Sequence, residues 1–155
     1  MNPTSDAVHH DSAASSQEEY PGASIHWPRL FLVLLRATAL LFAAGVLLQA
    51  ILAGDFVTGN VELLQIHNAT AQVLGVVCLI EIVVAFGVWR SRLTSAWPAV
   101  TTVLLLVLTG LQMALGHDRN LLYHIPLGTA IFGCAIVFAV WTFRVRTGRS
   151  GEVGQ

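Results

Sequence analysis

The stretches LLQAILAG (47–54) with LLQIHNATAQVLG (63–75), and GLQMALGHDRNLLYHIPLGTAIFG (110–133), are two copies of one pattern. Each copy has an apolar run that ends in a Gln and a Gly: Gln49 and Gly54 in the first, Gln112 and Gly116 in the second. A short polar loop follows, then a Leu pair and a His: Leu63, Leu64 and His67, then Leu121, Leu122 and His124. A second apolar run with small residues near its start completes each copy. A duplicated helical hairpin predicts an all-α, up-down-up-down four-helix bundle. Its two hairpins would be related by a pseudo-twofold axis, which parallel repeats set along the membrane normal. It also predicts His67 and His124 on facing helices at one membrane depth.

Working outward, the composition says what surrounds the bundle. Of 155 residues, 55% are hydrophobic and 11% charged, and lysine is absent. A soluble domain of this size carries about a quarter charged residues. Apolar runs occupy Leu30–Ala53, Leu63–Trp89, Ala96–Leu115 and Ile125–Phe143. A helix needs about 20 apolar residues to cross the hydrocarbon. We therefore expect transmembrane helices at about 29–53, 62–89, 96–115 and 123–144. Short loops make consecutive helices antiparallel neighbours. The net charge of −1 offers no basic surface, so nucleic acid is not an expected partner.

Residues 1–27 begin with MNPTSDAVHHDSAASSQEEY, which lacks hydrophobic period and predicts a disordered tail. His9 and His10 in that tail read as solvated side chains. The spans begin too late, after too acidic a tail, for a cleavable signal peptide, so the first span is expected to serve as address and anchor. A second short tail is expected at 146–155. Arg29, Arg90, Arg92, Arg144, Arg146 and Arg149 fall on one side of the bundle; Arg119, Asp55, Glu62 and Asp118 fall on the other. The positive-inside rule then places both termini in the cytoplasm, the chain in the plasma membrane, and the histidines at the extracytoplasmic face. Trp27, Trp89, Trp97 and Trp141 all lie near the cytoplasmic boundary, where an amphipathic ring suits the headgroup zone. Cys78 and Cys134 fall inside spans and read as small apolar fillers rather than as a disulfide.

His67 follows the expected N-cap Asn60. Its face continues at helical spacing through Ala71, Leu74, Cys78 and Glu81. His124 opens the fourth helix with Pro126 in its first turn. Its face continues through Gly128, Ile131, Ala135 and Phe138. Ala71 and Gly128, one turn below the histidines, leave room for a flat macrocycle. Two imidazoles at one depth suit the iron of haem b, and a six-coordinate site of that kind transfers electrons. Gln49 and Gln112 are placed to orient the imidazoles through their other ring nitrogens; interhelical hydrogen bonding is the alternative for both. Arg119 is the one cation expected at that face and can pair with a haem propionate. Tyr123, Asn60 and Asn68 can donate hydrogen bonds nearby. His117 lacks a counterpart in the first hairpin and ranks below His124 as a ligand.

Arg36 and Glu81 form a separate pair of candidates. Each lies about 10–13 Å into the membrane from the arginine-rich side at 1.5 Å per residue. Charge is costly there, so an Arg36–Glu81 ion pair between the first two helices is expected. It would act either as an orientation lock or as a proton or quinone site.

The motifs QAILAG…LLQIHNATAQVLG and LQMALG…LLYHIPLGTAIFG resemble one four-helix half of the haem A synthase family. They also look like an uncharacterised bacterial family of small four-helix membrane proteins with a His heading helices two and four. The resemblance covers residues 29–144. It implies a haem pocket with ligands on helices two and four, roles that fall on His67 and His124. The synthases join two such halves, and this chain supplies one. Their Glu three residues before the first His, and the Arg just after it, are here Leu64 and Asn68, with Glu62 displaced. No cysteine pair occurs in the first outer loop. These departures count against hydroxylation chemistry and leave simple haem binding as the expectation.

The expected function is that of a cytochrome b-like, haem-binding electron-transport protein, at most a subunit of an enzyme. Possible partners are a second copy of the chain, a redox subunit or a quinone. The alternative is a non-catalytic accessory or assembly protein in which the histidines are structural. A dimerising half-transporter ranks last, because the spans lack a polar pathway. No nucleophile with a paired base and no HExxH motif is present.

Overall fold

The structure is a computed structural model that describes residues 27–146. The expectations for the two tails, including His9, His10 and Arg149, lie outside the described residues. Four helices make up the fold: α1 (Trp27–Val57), α2 (Leu63–Arg90), α3 (Trp97–His117) and α4 (Leu121–Arg144). All four are long and apolar enough to cross a membrane. α1 packs against α2 and α4, and α3 against the same two. The helices thus close a ring, with α1 opposite α3 and α2 opposite α4. The chain is a multi-pass membrane four-helix bundle.

The side chains sort as a bilayer requires. Leu41, Ile51, Val73, Val83, Val100, Val107 and Val137 point outward and are exposed. In water such a surface would aggregate; in lipid it is the solvated face. The inward faces build two stacked layers. One contains Phe42, Leu74, Cys78, Leu105, Ile131 and Ala135. The other, nearer the arginine-rich end, contains Leu35, Ala39, Val84, Ala85, Val88 and Phe138. Towards the histidine end few residues are buried; Leu52 and Thr109 are the last on their helices. The bundle is tight at one end and looser at the other.

Each loop leaves its helix by the same device. Asn60, Leu93 and Asn120 donate their amides back to Asp55, Val88 and Leu115, six residues to one. Gly59, Arg92 and Arg119 donate to Phe56, Trp89 and Gly116. These are the two bonds of a Schellman motif, which satisfies the last carbonyls of a helix. The residue between must take a left-handed backbone. Gly59 does so at φ +117°, and Arg92 and Arg119 do so at φ +55°.

This motif explains where the helices depart from expectation. α1 and α3 run on through Gly54 and Gly116 to Val57 and His117, because an interior glycine weakens a helix without ending it. α2 begins after Glu62, not Asn60, and has no side-chain cap. α4 begins at Leu121. His124 therefore sits in its first turn rather than at its head, and Pro126 lies inside the helix. The proline leaves the Leu122 carbonyl without an amide partner from its own helix.

Close helix approach replaces the hydrophobic effect as the source of cohesion in lipid. The Phe31 ring lies on Gly87, where a Cβ would come within 2.6 Å of it. Leu74 fills the notch at Gly45, where any Cβ would collide with it. The tryptophans do more than anchor. Trp97 meets Trp141 edge-on at 4.1 Å between centroids, and Phe138 lies within 6.1 Å of both. This cluster ties the start of α3 to the end of α4.

Gly87→Val should force Phe31 off α2 and cost about 1–3 kcal/mol, as overpacking does. Gly75→Ala, where a Cβ meets nothing within 4 Å, should cost nothing and raise helix stability by up to about 1 kcal/mol. Thermal unfolding of both variants in one detergent checks the contrast. Equal losses would mean that the α1–α2 approach is not set by Gly87.

Candidate functional site

His67 and His124 come from diagonally opposed helices, yet their rings meet across the bundle. The centroids are 6.4 Å apart and the planes are inclined by 53°. Both side chains are half-buried. The periodic faces expected beneath them are inward: Ala71, Leu74, Cys78 and Glu81 on α2, and Gly128, Ile131, Ala135 and Phe138 on α4, go from half-buried to buried.

The two imidazoles are held differently. His124 Nδ1 lies 2.9 Å from the main-chain oxygen of Gln112. A carbonyl only accepts, so Nδ1 carries the proton and donates it. In the neutral ring, Nε2 then keeps its lone pair. Gly116 makes room for this ring: a Cβ there would stand 2.9 Å from His124 Cε1. His67 Nδ1 is buried and has no hydrogen-bond partner.

Of the two roles expected for the glutamines, Gln49 takes the interhelical hydrogen bond. The Gln49 amide donates to the main-chain oxygen of His67 at 3.1 Å and to Thr70 Oγ1 at 2.5 Å. Its side chain braces the first turn of α2, while its backbone lies beside the His67 ring. Gln112 orients His124 through its backbone and not through its amide. Its side chain instead fills the space above Gly128, where a Cβ would lie 2.8 Å from Nε2. The notch expected for a macrocycle is thus taken by the glutamine, whose Oε1 is buried without a partner.

Other candidates lie to the side. Arg119 is exposed in the α3–α4 turn, and Asn60 and Asn68 are exposed at the same end. His117 is exposed at the last position of α3. Tyr123 helps line an apolar cleft of about 520 Å³ with Leu111, Leu115, Pro126 and Leu127. That cleft runs between α3 and α4 on the flank of His124. Sequence reasoning named Gly116 only as a repeat residue, without a role at the site, and did not single out Thr70 or Thr109. Only Gly116 carried a signal, as the equivalent of Gly54.

The Arg36–Glu81 ion pair does not form. Arg36 Nε donates to the main-chain oxygen of Thr142 at 3.2 Å, and Nη2 to that of Val145 at 2.8 Å. Its guanidinium also lies 5.3 Å from the centre of the Phe143 ring. The last carbonyls of a helix carry partial negative charge and lack amide partners. They satisfy the cation near the membrane boundary, where its long stem lets it reach. Glu81 remains fully buried, and neither of its oxygens has a partner.

Among the described residues, no group of three or more His, Cys, Asp or Glu side chains is placed to hold a metal ion. Two opposed imidazoles are too few for a protein-built centre of the usual four ligands. They suffice for a metal that brings its own in-plane donors. The spacing fits that case: imidazole nitrogen binds a metal at about 2 Å, so rings on opposite sides of one ion have centroids about 6 Å apart. Comparison of the chain with protein-family models, with curated proteins and with solved structures finds no match.

If Arg36 and Glu81 are independent, the stability losses of Arg36→Met and Glu81→Gln should add in the double variant to within about 0.5 kcal/mol. A coupling well above that, in unfolding measured on all four proteins, would restore the ion pair.

Proposed function

We propose that this protein binds one haem b between His67 and His124 and carries electrons at the extracytoplasmic face of the plasma membrane. The observation that supports this most is the pair of imidazoles from diagonal helices, 6.4 Å apart. One has its Nδ1 bonded to a carbonyl. A metal-binding histidine is commonly fixed in this way through its second nitrogen, which sets the tautomer and leaves Nε2 as donor. Bound haem would supply a one-electron redox centre whose potential depends on its axial ligands and its burial.

The protein's own residues would hold and shield that centre. His67 and His124 would hold the haem iron through their imidazole nitrogens. Gly116 leaves His124 free to stand against α3, and the main-chain oxygen of Gln112 keeps it from turning. Gln49 and Thr70 stiffen the turn that presents His67. Leu74 and Ile131 would pack beneath the haem. The looser packing of this end would let the bundle open around a macrocycle, with the Gln112 amide leaving its place above Gly128. Arg119 would be drawn to a propionate. The resemblance to one half of the haem A synthases supports the same ligand pair. Arg29, Arg90, Arg92, Arg144 and Arg146 at the opposite end support the orientation. A redox subunit or a quinone would exchange electrons with the site, and a second copy of the chain would restore a two-half architecture.

The test is an absorption spectrum of the full chain, purified in detergent after expression with haem available, before and after dithionite. Sharp low-spin bands in the reduced protein are expected, lost in His67→Ala and in His124→Ala. Gly116→Val, which pushes on the imidazole without removing it, should broaden or weaken them. A folded, colourless protein, or full bands in both histidine variants, would overturn the reading. The histidines would then be packing groups of an accessory protein.

A further inference from the structure

Four side chains in the core of this bundle have buried polar atoms without a hydrogen-bond partner and share one column: Glu81, Thr109, Gln112 and His67. Glu81 is fully buried on α2. Cys78, one turn nearer the histidines, is fully buried too, and its thiol lies beside the Thr109 hydroxyl of α3. Gln112 is one turn further along α3, and its main-chain oxygen receives the His124 proton. His67 lies across from His124. The column thus climbs about 21 Å, the rise of the 14 residues from Glu81 to His67.

Thr109 is the informative member. Thr38, Thr70, Thr102, Thr129 and Thr142 all donate back to a carbonyl three or four residues earlier. That is the ordinary way to satisfy a helical hydroxyl. Thr109 does not, although it is buried. Its hydroxyl instead faces the Cys78 thiol across the helix pair, one turn below the level of Gln112. A buried polar group with no partner costs free energy. Glu81, Thr109 and Gln112 follow one another at about one-turn intervals, and such a run is the setting in which internal waters bind, each needing two to four polar neighbours.

We propose that Glu81 is a proton-exchanging site at the inner end of a water-bridged polar path. The path runs past Cys78, Thr109 and Gln112 and opens at the histidine end of the bundle. A proton from solvent at that end passes along waters and the Thr109 hydroxyl to the Glu81 carboxylate, forming the acid, and leaves by the same route. No other bond changes. The path is closed on the arginine-rich side by Leu35, Val84, Ala85, Val88, Phe138 and Ala139.

The groups that can influence Glu81 are few. On α1 the charged residues are Arg29, Arg36 and Asp55; Arg36 is turned to the α4 carbonyls, and the others lie at the ends. α2 adds His67, Cys78 and Arg90, and α3 only His117. α4 adds Tyr123, His124, Cys134 and Arg144, of which Cys134 is exposed. None of these pairs with Glu81, so its exchange is governed by access. The proposal does not rest on haem binding.

Infrared spectroscopy of the full chain in lipid vesicles tests it, on protein as purified and over a series of pH values. Transfer from H2O to D2O shifts the carbonyl band of a protonated carboxyl. One such band should vanish in Glu81→Gln and move in Glu81→Asp. Its deuterium shift should slow on the order of tenfold in Thr109→Val, because breaking a hydrogen-bonded network interrupts the whole run. Thr109→Ser should exchange as the parent does. If no carboxyl band responds to Glu81→Gln or Glu81→Asp at any pH, Glu81 is not a proton site. If Thr109→Val exchanges as fast as the parent, the path is wrong. Because no cofactor is needed, a colourless protein decides only the haem reading.

Discussion

Hydrocarbon offers a polar group nothing to bond to, and the interior of this bundle follows from that constraint. An unbonded amide or hydroxyl in an apolar medium costs several kcal/mol, on the order of 2–7. Arg36 therefore reaches the carbonyls of α4, Gln49 braces α2, and His124 finds the main-chain oxygen of Gln112. Five threonines turn back on their own helices. Each bond fastens one element to another or stiffens one from within. The helices themselves have no apolar reason to associate, since lipid tails are as apolar as leucine. Association instead uses glycine notches, filled by Phe31 and Leu74, and these polar fastenings.

Against that background the exceptions stand out. Glu81, Thr109, Gln112 and His67 keep buried atoms that bond to nothing in the protein. Three of these four were expected from sequence to matter, because each is a polar residue inside an apolar run. Such residues are rare in membrane spans and tend to mark function. They lie on the inward faces of α2 and α3, between a tight arginine-rich end and a loose histidine end. The molecule concentrates its cohesion at one end and its unsatisfied chemistry towards the other.

The sequence carried most of the fold, because the signals involved are local and strong. Apolar runs longer than a bilayer is thick can hardly be other than spans, and short loops leave one topology. The inward faces of α2 and α4 followed from three- and four-residue spacing, and the facing histidines followed from the repeated hairpin. The helix ends were less legible. Gly54 and Gly116 looked like stops, but the stop is a backbone motif that here tolerates arginine at the left-handed position. Side-chain partnerships were the least legible. The expected Arg36–Glu81 pair treated depth as proximity; a long side chain can instead turn to the end of another helix. The detail of the Gln49 and Gln112 contacts was hidden for a related reason. Register along a helix does not say whether the side chain or the carbonyl will meet the neighbour.

The bond from Arg36 to the end of α4 has a consequence for the order in which the protein is made. Its acceptors lie 106 and 109 residues further along the chain. A ribosome finishes α1 long before Thr142 and Val145 exist. For that interval the guanidinium has no fixed acceptor, and the first helix is poorly suited to lie alone in lipid. It gains by staying near the headgroups, or beside the insertion machinery, until the last helix arrives. The ring closes only when synthesis of the bundle is complete, and the arginine then locks the final helix to the first.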